Sequence, residues 1–130
     1  MKYRAIGENH LYLKAYRKGK KYVGANVVVY VLKDLAAGRL RLAHPEKKKI
    51  NRIGITVTKK NGGAVTRNRL KRIIREAYRQ TDTEQSIKQG YLIVIVAKYS
   101  AADKKTQDIK KDIEKAMVAL NMTGSADSAL

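Results

Sequence analysis

Residues 58–79 read TKKNGGAVTRNRLKRIIREAYR, and no other stretch limits the possible folds as severely. Wound as an α-helix at 100° per residue, it puts Leu70, Ile73, Ile74, Ala77 and Tyr78 on one side, the i, i+3, i+4, i+7, i+8 spacing of a stripe that has to be buried. Asn68, Arg72, Arg75 and Arg79 fall on the opposite side, with Arg67, Arg69 and Lys71 flanking them. Thr66 is the expected N-cap, its hydroxyl accepting from a backbone N–H that the first turn leaves unpaired, after a turn at Asn61-Gly62-Gly63. Any fold must therefore offer an apolar surface to one face of this helix and leave the other, cationic face open.

Like charges packed this densely repel one another, and only Glu76 offsets them within the helix. A solvated basic face is the plain alternative. Two features point instead to an external anion. Most of the cations are arginines, whose planar fork suits phosphates and base edges. Asn68 stands among them with a donor and an acceptor for a specific contact.

The rest of the chain shares the bias. Its 130 residues suit one domain with a modest core, and 29 basic against 11 acidic residues give a net charge of +18 and a pI near 10.2. Charge of that density predicts a polyanionic partner, nucleic acid before an anionic membrane surface. Cysteine is absent, which excludes disulfides and thiolate metal sites. No apolar run reaches the length of a membrane span and no signal-peptide core follows the N-terminal lysine, so the expected compartment is the cytoplasm. One RNA-binding domain is expected at residues 1–121, followed by a flexible tail at 122–130, where the residues are small and polar.

Residues 1–7 look weakly structured. A short helix is expected from Glu8, with Leu11, Tyr12, Ala15 and Tyr16 on one face and Gly19 at its end. Its tyrosines suit packing or, beside Arg17, Lys18, Lys20 and Lys21, the edge of an RNA groove. All eight aromatic residues are tyrosines, which can both stack on a base and hydrogen bond. Strands are expected at 25–32, at 52–58 with Ile53, Ile55 and Val57 on one face, and at 91–97, the last covered on both sides. Segment 33–51 reads as a loop with a solvated Lys47-Lys48-Lys49 run, residues 39–43 being the best place for a further strand, and 80–89 reads as a polar turn. A last helix at 101–121 buries Ile109, Ile113, Ala116, Met117 and Leu120 and turns a mixed, solvated face outward that includes Asp112.

No catalytic or metal-binding residues are expected in the protein. Its carboxylates are scattered without a cluster suited to a two-metal site, and His10 and His44 are isolated. No Walker pattern accompanies the glycine pair, so nucleotide binding is not supported.

Arg67-Asn68-Arg69 followed by Leu70-Lys71-Arg72, the upstream GITVTKK and the downstream IREAYR resemble the protein component of bacterial ribonuclease P. The likeness extends over residues 8–120, through Tyr-Arg-Lys-Gly at 16–19, the strand ending at Tyr30 and the apolar run before Lys98. It implies an α+β fold: a small, mostly antiparallel sheet with helices packed on it, in the order αβββαβα. It also implies a left-handed βαβ crossover, against the general right-handed rule. The function it implies is that of a subunit of an RNA-based endonuclease that removes the 5′ leader from precursor tRNA. The catalytic Mg2+ is then held mainly by the RNA, the partners are ribonuclease P RNA and precursor tRNA, and no obligate protein partner is needed. Carried onto this chain, Arg67, Asn68, Arg69, Lys71, Arg72 and Arg75 are expected to dock on the catalytic RNA. Tyr12, Tyr16, Tyr30, Lys59, Lys60 and Lys98 are expected to line a cleft for the single-stranded leader. The rival readings are a structural RNA-binding protein of the ribosomal kind and a protein-only nuclease. The joint spacing of the lysine turn, the Arg-Asn-Arg motif and the flanking strands opposes the first, and the scattered carboxylates oppose the second.

Overall fold

The computed structural model describes residues 4–46 and 48–123. The elements run β1 (Arg4–Ala5), α1 (Asn9–Lys18), β2 (Lys20–Val23), β3 (Val27–Lys33), α2 (Ala37–Ala43), β4 (Arg52–Thr56), α3 (Ala64–Gln85), β5 (Tyr91–Ala97) and α4 (Thr106–Ala119). Single 3-10 turns lie at Lys59–Asn61 and Tyr99–Asp103. The strands form one sheet in the order β1-β4-β5-β3-β2.

The apolar run of β5 makes it the axis of the sheet. Successive side chains point to opposite faces, so Ile93 and Ile95 meet α3 and α4 while Leu92 and Val94 meet α1, and all four are at most 2% exposed. In the larger core, Leu70, Ile74, Ala77 and Tyr78 of α3 pack with Ile109, Ile113, Ala116 and Met117 of α4 over Val27, Val29 and Val31 of β3. Both helical stripes are those predicted from periodicity. The two long helices thus cover one face, and α1 covers part of the other.

The sheet is mixed rather than mostly antiparallel: β1–β4 and β4–β5 are parallel, β5–β3 and β3–β2 antiparallel. After β4 the 22 residues of α3 carry the chain back along the sheet, and β5 then enters in the same direction as β4. The strand missing from the pattern is β2, not residues 39–43, which belong to α2. Leucines alternate in that segment, but its Ala, Leu and Arg residues are strong helix formers, and the edges of the sheet are held by β1 and β2. β2 itself, Lys-Lys-Tyr-Val, shows little strand pattern and exists because β3 offers it an edge, from Lys20↔Val31 to Val23↔Val28. Near the N-terminus, residues expected to be loose are tied down: Arg4 and Ala5 pair with Arg52 and Ile53, and the buried Ile6 donates its N–H to the Ile53 carbonyl at 3.1 Å.

α3 is longer than expected at both ends. Its cap is Gly63, not Thr66, because the backbone turns at Gly62, whose φ of +127° favours glycine, and the helix starts at once. Thr66 lies inside the first turn with its side chain against Gly62. At the far end residues 80–85 are helical rather than a turn. Thr81 is buried and donates its hydroxyl to the Ala77 carbonyl at 2.9 Å, and the buried Asp82 pairs with Lys49 Nζ at 2.9 Å. Lys49 is therefore an anchor rather than a solvated loop charge, and Lys47 lies outside the described residues.

The end of segment 33–51 is clamped in the same manner. Asn51 Nδ2 donates to the Lys88 carbonyl at 2.7 Å, Asn51 Oδ1 accepts from Tyr91 N–H at 2.8 Å, and Gln89 Oε1 accepts from Ile50 and Asn51 N–H at 2.7 and 3.0 Å. α4 begins at Thr106, after the Tyr99–Asp103 turn, five residues later than expected. Asp112 is buried rather than solvated and accepts the Asn26 N–H at 2.6 Å. Met122, expected in the tail, is buried and accepts Lys88 N–H at 2.8 Å, whereas 124–130 lie outside the described residues.

Candidate RNA interface

Strand register decides which side chains share the α1 face of the sheet. Tyr30 pairs with Val94 and Val94 with Gly54, so the three form a row across β3, β5 and β4, and Val28, Val96 and Thr56 form the next. Helix α1 lays its tyrosines over these rows. The Tyr12 ring rests on Gly54, where an added Cβ would lie 2.6–2.7 Å from ring atoms and the hydroxyl. The Tyr16 ring meets Tyr30 edge-on, centroids 5.0 Å apart at 69°, and its hydroxyl bonds Thr56 Oγ1 at 3.0 Å. Tyr12, Tyr16 and Tyr30 are therefore one half-buried cluster. Gly54 and Thr56 were missed as part of this surface. A glycine inside a strand was the available signal for close approach of another group.

Lys59 and Lys60 are presented beyond this cluster by a rigid turn. Thr58 Oγ1 accepts from Lys60 N–H at 3.3 Å, Asn61 Oδ1 accepts from Thr58 N–H at 3.0 Å, and Asn61 Nδ2 donates to the Lys98 carbonyl at 2.9 Å. Both lysines are exposed. Lys98 is less available: its Nζ donates to the Gly24 carbonyl at 3.0 Å.

On α3, the side chains of Asn68, Lys71, Arg72 and Arg75 are exposed. Arg69 turns inward, its guanidinium donating to the carbonyls of Ala102 at 3.2 Å and Lys104 at 2.8 Å, and so joins α3 to the turn before α4. Removing these charge-assisted bonds should cost stability, and Arg69→Met is expected to lower it by about 2 kcal/mol in urea denaturation. An unchanged midpoint would mean that the inward bonds contribute nothing. Arg79 grips Glu76 with two bonds of 2.9 and 2.7 Å, which, with Gln80, hold the Glu76 carboxyl down at about 2.

The acids are engaged mostly with the chain's own cations and N–H groups, through pairs such as Asp34–Arg52, Asp82–Lys49 and Glu84–Lys110. Of the remaining cations, Lys59, Lys60, Lys71 and Arg72 are among those exposed. Among the described residues no group of three His, Cys, Asp or Glu side chains is placed to hold a metal ion. No described helix is long and apolar enough to cross a membrane.

Rings for bases and cations for phosphates are what unpaired RNA requires of a surface. Fold and surface together define the class, a small basic α+β protein with an exposed cationic helix face. Comparison with known proteins narrows it: the Ribonuclease P family description matches residues 1–121. The ribonuclease P protein component of Clostridium botulinum (strain Loch Maree / Type A3) is 38% identical over 120 residues, covering 92% of this chain and 93% of that one. That of Clostridioides difficile (strain 630) is 40% identical over 101 residues, covering 78% and 77%. Among solved structures, the Staphylococcus aureus RNase P protein superposes with a TM-score of 0.70 at 28% identity, covering 95% of this chain and 99% of that one. The chain belongs to the bacterial ribonuclease P protein family, whose members act with the ribonuclease P RNA in the ribonucleoprotein that matures tRNA 5′ ends.

Proposed function

We propose that this protein binds the ribonuclease P RNA through the outward face of α3 and holds the 5′ leader of precursor tRNA on the α1 face of the sheet. The observation that carries the reading is the gathering of Tyr12, Tyr16 and Tyr30 over β3–β5–β4, with Lys59 and Lys60 beyond, on a different surface from Lys71, Arg72 and Arg75. Half-buried rings offer faces and edges to unpaired bases with little sequence preference. The exposed arginines neutralise phosphates of the structured RNA. Arg67 and Asn68, in the first turns of α3, are shared between the two surfaces in this reading.

In this reading the protein orders RNA and is not itself the catalyst. Magnesium belongs to the RNA subunit, and no protein partner is required. The setting is the cytoplasm, and the β4–α3–β5 crossover is left-handed.

Two variants separate the surfaces. Arg72→Ala should weaken assembly with the RNA about tenfold and flatten its salt dependence by about one ion. Tyr16→Ala should leave assembly unchanged and weaken precursor relative to mature tRNA by about tenfold. Equal behaviour of the two variants in both assays overturns the two-surface reading. Cleavage of labelled precursor at the mature 5′ end only when the RNA is added supports the assignment. RNA binding without any stimulation of cleavage favours a purely structural RNA-binding role.

A further inference from the structure

The turn after β5 presents an aromatic ring that the core does not use. Tyr99 is 81% exposed, whereas the other described tyrosines are buried or half-buried. An isolated exposed ring is unremarkable by itself. This one is set on a locked backbone beside a cationic turn. The residue before it, Lys98, donates its N–H to the Asn26 carbonyl at 2.9 Å, and its own carbonyl accepts from Asn61 Nδ2 at 2.9 Å. The residue after it, Ser100, donates through its hydroxyl to the Ala25 carbonyl at 2.9 Å, with Asn26 Oδ1 at 3.0 Å, and Ala101 is buried.

Tyr99, Ser100, Ala102 and Asp103 of this turn line an open hollow of about 490 Å³ together with Lys59 and Lys60 of the turn after β4. Both turns leave the same end of the sheet, where β4 and β5 bring Thr56 and Val96 of the tyrosine-bearing rows side by side. Its charge is uneven. The lysines attract phosphates, whereas the one lining carboxylate, Asp103, has Lys104 Nζ 4.0 Å away and the ring carries no charge. A nucleotide fits this polarity with its phosphates at Lys59 and Lys60 and its base on the ring.

We propose that Tyr99 is a stacking platform for an unpaired base of the precursor tRNA leader, in register with phosphates held by Lys59 and Lys60. The inference rests on the leader-binding reading above and adds a residue and a subsite to it. A ring on a fixed turn loses little freedom when a base settles on it, and stacking tolerates any base.

The test is binding of precursor tRNAs with progressively shortened leaders to holoenzyme carrying Tyr99→Ala, Tyr99→Phe or Tyr16→Ala. Tyr99→Ala is expected to weaken a long-leader precursor about five- to tenfold, with Tyr99→Phe close to wild type and no effect on mature tRNA. The penalty should vanish once the leader is too short to reach the ring. A penalty that persists on mature tRNA or on assembly with the RNA subunit assigns Tyr99 to another RNA surface and overturns the proposal. Equal losses in Tyr99→Phe and Tyr99→Ala overturn stacking in favour of the hydroxyl. If Tyr16→Ala weakens precursor binding and Tyr99→Ala does not, this inference alone fails; if neither does, the leader-binding reading fails with it.

Discussion

Gly19→Ala is expected to lower the stability of the fold by about 3 kcal/mol, read as a fall in the urea midpoint. Backbone strain is not the reason: Gly19 sits at φ −75° and ψ 160°, extended backbone that any residue can adopt. The reason is space. A Cβ there would lie 2.6 Å from the Ala15 carbonyl oxygen and 2.8 Å from that of Val31, and both are backbone atoms in regular structure that cannot swing aside. At this point α1 ends, with Gly19 N–H on the Ala15 carbonyl at 2.9 Å, and the chain drops directly onto β3 as β2. Any relief must lift α1 from the sheet or part β2 from β3. Because α1 also carries Tyr12 and Tyr16, the leader binding proposed for this face should suffer with stability. Gly7, with nothing within 4 Å of an added Cβ, is the control: Gly7→Ala should stay within about 1 kcal/mol of wild type. Similar midpoints for the two variants would show that the contact at Gly19 is slack.

Asp34→Ala is expected to cost about 3 kcal/mol at neutral pH, because it strands a largely buried guanidinium. Arg52 Nε and a terminal nitrogen donate to the two Asp34 oxygens at 2.7 and 2.8 Å, with the side chains only 16% and 2% exposed. Asp34 Oδ1 also accepts the Ala36 N–H at 3.0 Å, which starts the turn into α2. In the variant, Arg52 keeps the looser ion pair with the exposed Glu8, at 3.6 Å. Burial alone would raise the Asp34 carboxyl, but the Arg52 hydrogen bond, the Ala36 N–H and the charges of Arg52 and Arg39 outweigh it and hold the group below its ordinary value. The sign of the pH dependence follows. With the folded value depressed, the contribution is complete above the ordinary carboxylate range and drains away as pH falls through that range to the lowered value. The stability gap between wild type and Asp34→Ala should therefore be widest near about pH 7 and shrink below about pH 4. A gap independent of pH would show that the loss comes from packing around α2 rather than from the ion pair.

Much of the scaffold is written in local periodicity. The stripe Leu70–Ile73–Ile74–Ala77–Tyr78, the α4 stripe and the apolar run of β5 each announce a buried face because the side-chain angle per residue is fixed within a helix or strand. The α1 face, with Leu11, Tyr12, Ala15 and Tyr16 directed at the sheet, was legible for the same reason. Misreadings fall where long-range partners decide. β1 and β2 are short and lack a strand pattern, and they are strands because β4 and β3 offer them edges. Residues 80–85 look like a turn by composition, yet Asp82 meets Lys49 and Thr81 is enclosed, so the helix continues. Asp112 looks like one more surface charge until Asn26 brings its N–H within 2.6 Å.

The same division runs through the candidate site. By itself the sequence determined the net charge of +18, the absence of thiols, the cationic side of the long helix and the motif around Arg67-Asn68-Arg69. Those are properties of composition and of neighbours along the chain. Only the tertiary structure decided that Tyr16 meets Tyr30 rather than the main core, that Gly54 makes room for Tyr12, and that Arg69 turns inward while Arg72 faces out. Strand register governs the tyrosine surface, and a slip of one residue would turn Tyr30 to the opposite face, but register is set by packing between segments far apart in the chain and has no local signature.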